Sequence, residues 1–376
     1  MLNKKRLIDE FIELIQIDSE TTEESEIAEK LKDKFTKLGL SVKEDNSKKE
    51  TGHGAGNLIC TLKGTKTDVE QIYFTSHMDT VVPGKGIQPS IKEDYIVSDG
   101  TTILGADDKA GIAAMIESIL VLKESNRNYG DIQFVITVGE ESGLVGAKAL
   151  DASLLHAAFG YALDSDGKVG DIIVAAPTQT KVFARVKGKT AHAGVAPERG
   201  VSAITIASKA IAKMPLGRID EETTANIGRF EGGQKTNIVC DYVEVLAEAR
   251  SLEAEKMNQQ VALMEKAFHD AASEMGGEVE VETTLMYPGY KQEAGDQVVE
   301  IARAAAKRIG RKSELKQSGG GSDANVIASY GIPTVNLAVG YEDIHTTNER
   351  MSITELVKIT ELVLAIIEEV SNTTND

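Results

Sequence analysis

The sequence predicts an α/β fold: a mixed, mostly parallel sheet flanked by helices, with a smaller α+β domain inserted into it. Three observations carry this expectation. Short apolar runs of strand length alternate with helical stretches in the first half of the chain. After Pro177 the pattern turns to strands with one wet face, and from about Pro288 the alternating style returns.

The elements follow in order. Residues 4–16 place Leu7, Phe11, Leu14 and Ile15 at helical spacing. A second amphipathic helix covers about 24–38 and stops at Gly39. Strand-length runs lie at 57–62, 71–76, 132–138 and 158–163, with a helical stretch at 110–122 among them. Residues 181–187 then alternate polar and apolar. A helix near 201–212, strands near 226–230 and 242–247, a long helix at 253–273 and a strand at 278–283 complete the insertion. Beyond it come helices at 297–309 and 324–329, a strand at 333–339 and a final helix at 353–371. The expected division is a discontinuous domain, 1–177 with 288–376, interrupted by a domain at 178–287.

Composition narrows the function. With 41 Lys and Arg against 59 Asp and Glu, the 376 residues carry a formal net charge of −18. An acidic surface without a basic run repels phosphates, so bulk nucleic-acid binding is disfavoured, whereas cations are welcome. The two cysteines, Cys60 and Cys240, lie far apart in no CxxC pairing, as expected of reduced thiols in a cytoplasmic protein. The basic start, Met1 to Arg6, leads into apolar residues mixed with Asp9, Glu10 and Glu13, which does not read as a signal peptide. The longest apolar stretches fall short of the ~20 residues that span a bilayer.

Six histidines occur, at 53, 77, 156, 192, 269 and 345. His77 follows the apolar run Ile72 to Ser76 in the string SHMDT, and Asp79 stands within reach of its second ring nitrogen. An ordinary strand-end cap would use the same pair. Asp107 and Asp108, in GADDKAG, open the 110–122 helix, whose positive end favours anions. An acidic cap is the alternative there, but a carboxylate can also bridge two cations. The 132–138 run ends in Gly139-Glu140-Glu141-Ser142-Gly143, the 158–163 run ends in Asp164, and His345 lies just beyond the 333–339 strand. One acidic strand end means little; this many termini bearing carboxylates and imidazoles point to metal.

Such donors suit zinc, and carboxylate-rich sites also accept manganese or cobalt. Two divalent ions ~3.5–4 Å apart, bridged by a carboxylate and a water, turn that water into hydroxide near neutral pH and polarise a carbonyl. A carboxylate outside the ligand set then takes the proton and hands it to the leaving amine. The pair Glu140 and Glu141 can divide those two tasks.

Together, SHMDT, TTILGADDKAG, VGEESGLVGA, ALDSDG, GKTAHAG and DIHTTNERMS resemble the di-zinc exopeptidase family that contains peptidase T (a tripeptide aminopeptidase), related carboxypeptidases and aminoacylases. They keep that family's order along nearly the whole chain, and GGGSDAN looks like its loop before a late helix. The resemblance implies a zinc exopeptidase-like fold, with the insertion as a ferredoxin-like lid or dimerisation domain. It implies two Zn2+, with Mn2+ or Co2+ as alternatives. Carried over by position, it places His77, Asp107 and Asp164 on one metal and Asp107, Glu141 and His345 on the other, Asp107 bridging. Glu140 is then the implied general base and Asp79 the carboxylate that orients His77, and the Asp107–Asp108 bond is implied to be cis. His192, in GKTAHAG, is implied to stabilise the oxyanion, often from a partner subunit, though a turn histidine would look the same.

Arg250, closing the strand-like residues 243–249, can pair with a substrate carboxylate, and Asn237 can assist. Salt bridging and turn formation explain these two almost as well. Backbone N–H groups of the loop Ser318-Gly319-Gly320-Gly321-Ser322-Asp323, at Gly320 and Ser322, can cradle the same group. The loop lacks the lysine and spacing of a phosphate-binding motif. His53, His156 and His269 gain nothing from the resemblance and are read as structural.

The expectation is a cytoplasmic, metal-dependent exopeptidase for short peptides, acting through a bridging hydroxide with Glu140 as base, and a homodimer through the inserted domain. An N-acyl amino acid amidohydrolase would share the same centre. A catalytically silent metal- or peptide-binding protein is the rival from another class, and the presence of every proposed ligand and of the base argues against it.

Overall fold

The structure, a computed structural model, describes residues 1–125 and 127–372. The chain divides into two units. The first takes in the residues up to Ala175, Gln292–Ser318 and those from Ser322 on; the second comprises Ala176–Lys291 and Gly319–Gly321.

In the first unit the strands lie in the order Ser41–Glu44, Leu58–Leu62, Ile132–Thr137, Ile72–His77, Phe159–Ser165, Thr334–Ala338 and Asp171–Ala176. The run from Ile132–Thr137 to Thr334–Ala338 is parallel throughout. The flanking pairs are antiparallel, except that Glu314–Gln317 joins Asp171–Ala176 in parallel. Strand alternation sends Leu58, Cys60, Phe74, Phe134 and Tyr161 to one face and Ile59, Tyr73 and Val135 to the other. The first face packs beneath helices Lys4–Ile15, Ser25–Lys37, Ala106–Glu124, Gln297–Arg308 and Ile353–Asn372. The second meets Leu150, Leu155 and Ile327, the last of these on the short helix Asp323–Ser329. Ala106–Glu124 is buried nearly all round, as suits a helix enclosed by the sheet and by its neighbours Lys4–Ile15 and Ile353–Asn372.

The architecture is the mixed, mostly parallel sheet between helices that the alternation predicts. Its weakly marked parts went unread. Ser41–Glu44 and Glu314–Gln317 are mostly exposed strands without an apolar run. The small sheet of Ser90–Lys92, Tyr95–Val97, Arg350–Ser352 and Tyr341–Glu342 is built of strands too short for alternation to register.

The second unit is an antiparallel sheet in the order Gly217–Arg218, Thr223–Gly232, Tyr242–Ser251, Thr178–Lys187, Glu278–Tyr287. Val182, Ala184, Val186, Val243 and Val245 alternate onto one face and bury Ile206 of helix Ala203–Lys213 and Met264 and Phe268 of helix Ala254–Met275. Helices follow the first and third long strands, a β-α-β-β-α-β order. Among the described residues no helix is long and apolar enough to cross a membrane.

Candidate metal centre

The side chains of interest leave the sheet where its parallel strands end, the edge at which open α/β sheets bind ligands. His77 is the last residue of Ile72–His77, and Asp164 is the penultimate residue of Phe159–Ser165. Glu140 and Glu141 follow Ile132–Thr137 through Val138 and Gly139. Gly139 has φ +58, and a Cβ there would lie 2.5 Å from His53 Nε2, so the turn admits no side chain. Asp107 and Asp108 open helix Ala106–Glu124 with non-helical backbone angles and a cis bond between them. His345, at φ +61, lies between Tyr341–Glu342 and Arg350–Ser352.

These residues converge. Asp107 Oδ1 is 3.1 Å from His77 Nε2, and its Oδ2 is 3.1 Å from His345 Nε2. His345 Nε2 is also 3.0 Å from Glu141 Oε1, and His77 Nε2 is 3.9 Å from Asp164 Oδ1. Donor atoms of His77, Asp107 and Asp164 lie within 4.8 Å of one another, as do those of Asp107, Glu141 and His345, and those of His77, Glu140 and Glu141. His77 Nδ1 donates to the main-chain carbonyl of Asp79 at 3.0 Å, which leaves Nε2 as the nitrogen facing the carboxylates. The Asp79 carboxylate is 3.4 Å from the same Nδ1 and accepts the main-chain N–H groups of Glu140 and Glu141 at 3.0 and 3.2 Å. Thus it braces both His77 and the Glu140–Glu141 turn. Tyr341 donates to Asp164 Oδ1 at 3.3 Å, and Asn336 Oδ1 accepts from the Asp164 main-chain N–H at 2.9 Å.

The electrostatics are those of a cation site. Burial opposes ionisation of Asp107, but hydrogen bonds from His345 and His77 overcome it and hold its pKa below the usual carboxylate range. Burial alone would depress His77, yet Asp107 and Asp79 raise its pKa well above the ordinary value. Hydrogen bonds to Asp107 and Glu141 push His345 up to about 10. Glu140 keeps some exposure, but the protein atoms crowding its carboxylate push its pKa well up, and the charge of Asp164 adds to the effect. Burial does the same to Asp164 and Asp108. Imidazole nitrogens aimed at carboxylates that crowd one another are donors suited to divalent metal.

His192, Asn237, Arg250 and Gly320 belong to the second unit and Ser322 to the first. His192 is exposed, and its Nδ1 accepts the main-chain N–H of Gly194 at 3.2 Å, which makes Nε2 the protonated nitrogen of the neutral ring. Asn237 is exposed and its main-chain carbonyl accepts from the Ala193 N–H at 3.0 Å. Arg250 bonds Glu248 Oε1 at 2.9 Å and the Gly319 carbonyl at 3.0 Å. Ser322 caps Asp323–Ser329, and its hydroxyl accepts from Asn336 Nδ2 at 3.2 Å.

Several buried groups had no role in the sequence reading. His53 Nε2 meets Ser142 Oγ at 3.0 Å, beside the Glu140–Glu141 turn. Asp323, pushed up to about 6 by burial, accepts from Thr137 Oγ1 at 2.5 Å. Glu349 accepts three main-chain N–H groups of residues 104–107. Asp323 and Glu349 stood in the strings GGGSDAN and TTNERMS, but only as residue types without an assigned partner, and His53 stood in no such string.

Imidazole and carboxylate donors gathered at the strand ends of an α/β sheet define a metal-dependent hydrolase. The chain belongs to peptidase family M20/M25/M40, whose profile matches residues 73–369, and is a metallopeptidase. It is 70% identical to the protein YqjE of Bacillus subtilis (strain 168) over 369 residues, covering 98% of this chain and 99% of that one. The crystal structure of aminopeptidase PepT from Bacillus cereus ATCC 10987 matches with a TM-score of 0.96 at 69% identity, over 99% of this chain and 100% of that chain. A tripeptidase from Staphylococcus aureus subsp. aureus mu50 matches with a TM-score of 0.97 at 53% identity, again over 99% and 100%.

Proposed function

We propose that this metallopeptidase is an aminopeptidase of the peptidase T type, which removes the N-terminal residue from tripeptides. Likeness to the B. cereus aminopeptidase and the S. aureus tripeptidase supports the substrate class. The observation that carries the reading is Asp107, whose two oxygens each stand 3.1 Å from a different histidine Nε2, as a carboxylate shared between two cations requires.

His77, Asp107 and Asp164 would hold one ion and Asp107, Glu141 and His345 the other. Zinc is the proposed metal, with manganese or cobalt as alternatives. When bound, the ions polarise the scissile carbonyl and acidify the attacking water. Glu140 accepts that water's proton at its carboxylate and passes it to the departing amine. Asp79 holds His77 and the Glu140–Glu141 turn in register. His192 offers its Nε2–H to the developing oxyanion. Asn237, Arg250, the Gly320 N–H and Ser322 orient the peptide's carboxylate. The second unit serves as lid and as the surface of a homodimer, a use to which its exposed Phe230, Tyr242 and Leu246 lend support. The unpaired thiols of Cys60 and Cys240 suit the cytoplasm.

The test is a panel of tripeptides, dipeptides and N-acyl amino acids offered to the zinc-loaded protein, with mass spectrometry of the released residue. N-terminal release from tripeptides is expected. Robust deacylation without peptide cleavage would establish the N-acyl amino acid amidohydrolase instead, and C-terminal release a carboxypeptidase. Tight ion binding without turnover on any substrate would make the chain a binding protein.

A further inference from the structure

Glu349 is a buried carboxylate, 2% exposed, that the mechanism above leaves unused. Its Oε2 accepts the main-chain N–H groups of Leu104 and Gly105, both at 2.8 Å, and its Oε1 accepts that of Asp107 at 3.0 Å. The turn it holds cannot hold itself. Gly105 is left-handed at φ +76, and Asp107 (φ −79, ψ 103) and Asp108 (φ −122, ψ 31) depart from helical geometry, so helical hydrogen bonding does not fix the start of Ala106–Glu124.

Glu349 also shares its loop with His345, between strands Tyr341–Glu342 and Arg350–Ser352. That single loop reaches Asp107 twice, through the His345 ring on Oδ2 and through the Glu349 carboxylate on the main-chain N–H. Asp79 has the same design, with one buried carboxylate collecting the N–H groups of Glu140 and Glu141 at 3.0 and 3.2 Å.

We propose that Glu349 is a positioning residue: its carboxylate fixes the 104–107 turn so that Asp107 presents one oxygen to each histidine, and locks that turn to the loop bearing His345. The proposal rests on the two-metal reading. It assigns Glu349 no contact with substrate or ion. Two oxygens serving three N–H groups require an acceptor on both sides, so an amide, whose NH2 would face an N–H, leaves a buried donor unpaired.

The experiment compares Zn2+ binding by the full-length chain, its Glu349→Gln and Glu349→Asp variants, and Glu342→Gln as a control. Glu342 lies on the adjoining strand and pairs with Arg350 outside the clamp. Affinities are read by competition with a chromophoric chelator, and folding by circular dichroism of the metal-free proteins. Wild type is expected to bind two Zn2+, and Glu349→Gln to fold and bind the weaker ion ~10–100-fold less tightly, as loss of a group that orients metal ligands does. Glu349→Asp, which keeps the charge but reaches less far, should fall between, and Glu342→Gln should match wild type. The proposal is overturned if Glu349→Gln binds both ions within threefold of wild type. It is also overturned if Glu342→Gln loses as much affinity, or if neither Glu349 variant folds, since Glu349 would then be a general prop. A wild-type chain that binds fewer than two Zn2+ overturns the two-metal reading itself, a distinct result.

Discussion

Replacing Glu140 by Gln preserves the side chain's shape and removes both its negative charge and its capacity to take up a proton. General base catalysis contributes ~100- to 10,000-fold, so kcat should fall by that factor, or ~2.7–5.4 kcal/mol in the barrier. The same change should strengthen the metal-free fold. Burial, and after it the charge of Asp164, lifts the pKa of Glu140 well above its ordinary 4.5. Between the unfolded and folded values the native state therefore binds the extra proton, and stability falls as pH rises through that window. Glu140→Gln abolishes this loss. The metal-free variant should have a higher Tm than wild type at neutral pH, with a margin that shrinks as pH drops toward 4.5. Tripeptide hydrolysis, metal content and pH-resolved unfolding check the three parts. Because His77, Glu140 and Glu141 also converge, metal analysis is decisive. Loss of an ion would make Glu140 a ligand, and turnover within threefold of wild type would refute it as the base.

Three further outcomes follow from the same geometry. His192→Ala should lower kcat ~100–1,000-fold with both ions retained and KM little changed; steady-state kinetics within threefold of wild type would remove His192 from the reaction. Zn2+ binding at neutral pH should release protons, because His345, at about 10, and the raised His77 must be neutral to act as ligands. Zn2+ affinity should accordingly rise with pH, and calorimetric heats independent of buffer ionisation enthalpy would contradict this. Burial lowers the enclosed Lys109 ammonium from 10.5 to about 8, which makes its charged form ~3 kcal/mol less favourable than in the open chain. Below pH 8 that penalty is fully present, and between 8 and 10.5 the unfolded state binds more protons, so metal-free stability should rise with pH. Urea midpoints should show this rise in wild type and not in Lys109→Met.

Much of the fold class was legible because strands buried on both faces read as continuous apolar runs, as Ile72–His77 and Ile132–Thr137 do. The converging side chains were legible for a related reason. His77, Glu140 and Asp164 come at or just past the ends of such runs, where a parallel sheet sends side chains toward ligand. What stayed hidden involves the main chain. Residue types place Asp79 beside His77, but the nearest acceptor to that ring is Asp79's own carbonyl, while its carboxylate serves N–H groups more than sixty residues away, at separations of 61 and 62. Glu349 bonds the Asp107 N–H across 242 residues. An N–H group has no residue identity, so no string advertises where its acceptor will come from.

The same contacts explain why the first unit must be discontinuous. Thr334–Ala338, which lies beyond the second unit in sequence, pairs with Phe159–Ser165 on one side and Asp171–Ala176 on the other. Asn336 of that strand bonds the Asp164 main chain at both ends, its Oδ1 to the N–H and its Nδ2 to the carbonyl at 2.5 Å. The residues that follow bring Tyr341 to Asp164, His345 to Asp107 and Glu349 to the 104–107 turn. A chain ending before residue 334 would thus retain His77, Asp107, Glu140, Glu141 and Asp164 yet lack the strand and loop that position them. Convergence of the centre is therefore a property of the completed sheet, closed by a strand that pairs with partners more than 160 residues earlier in the chain.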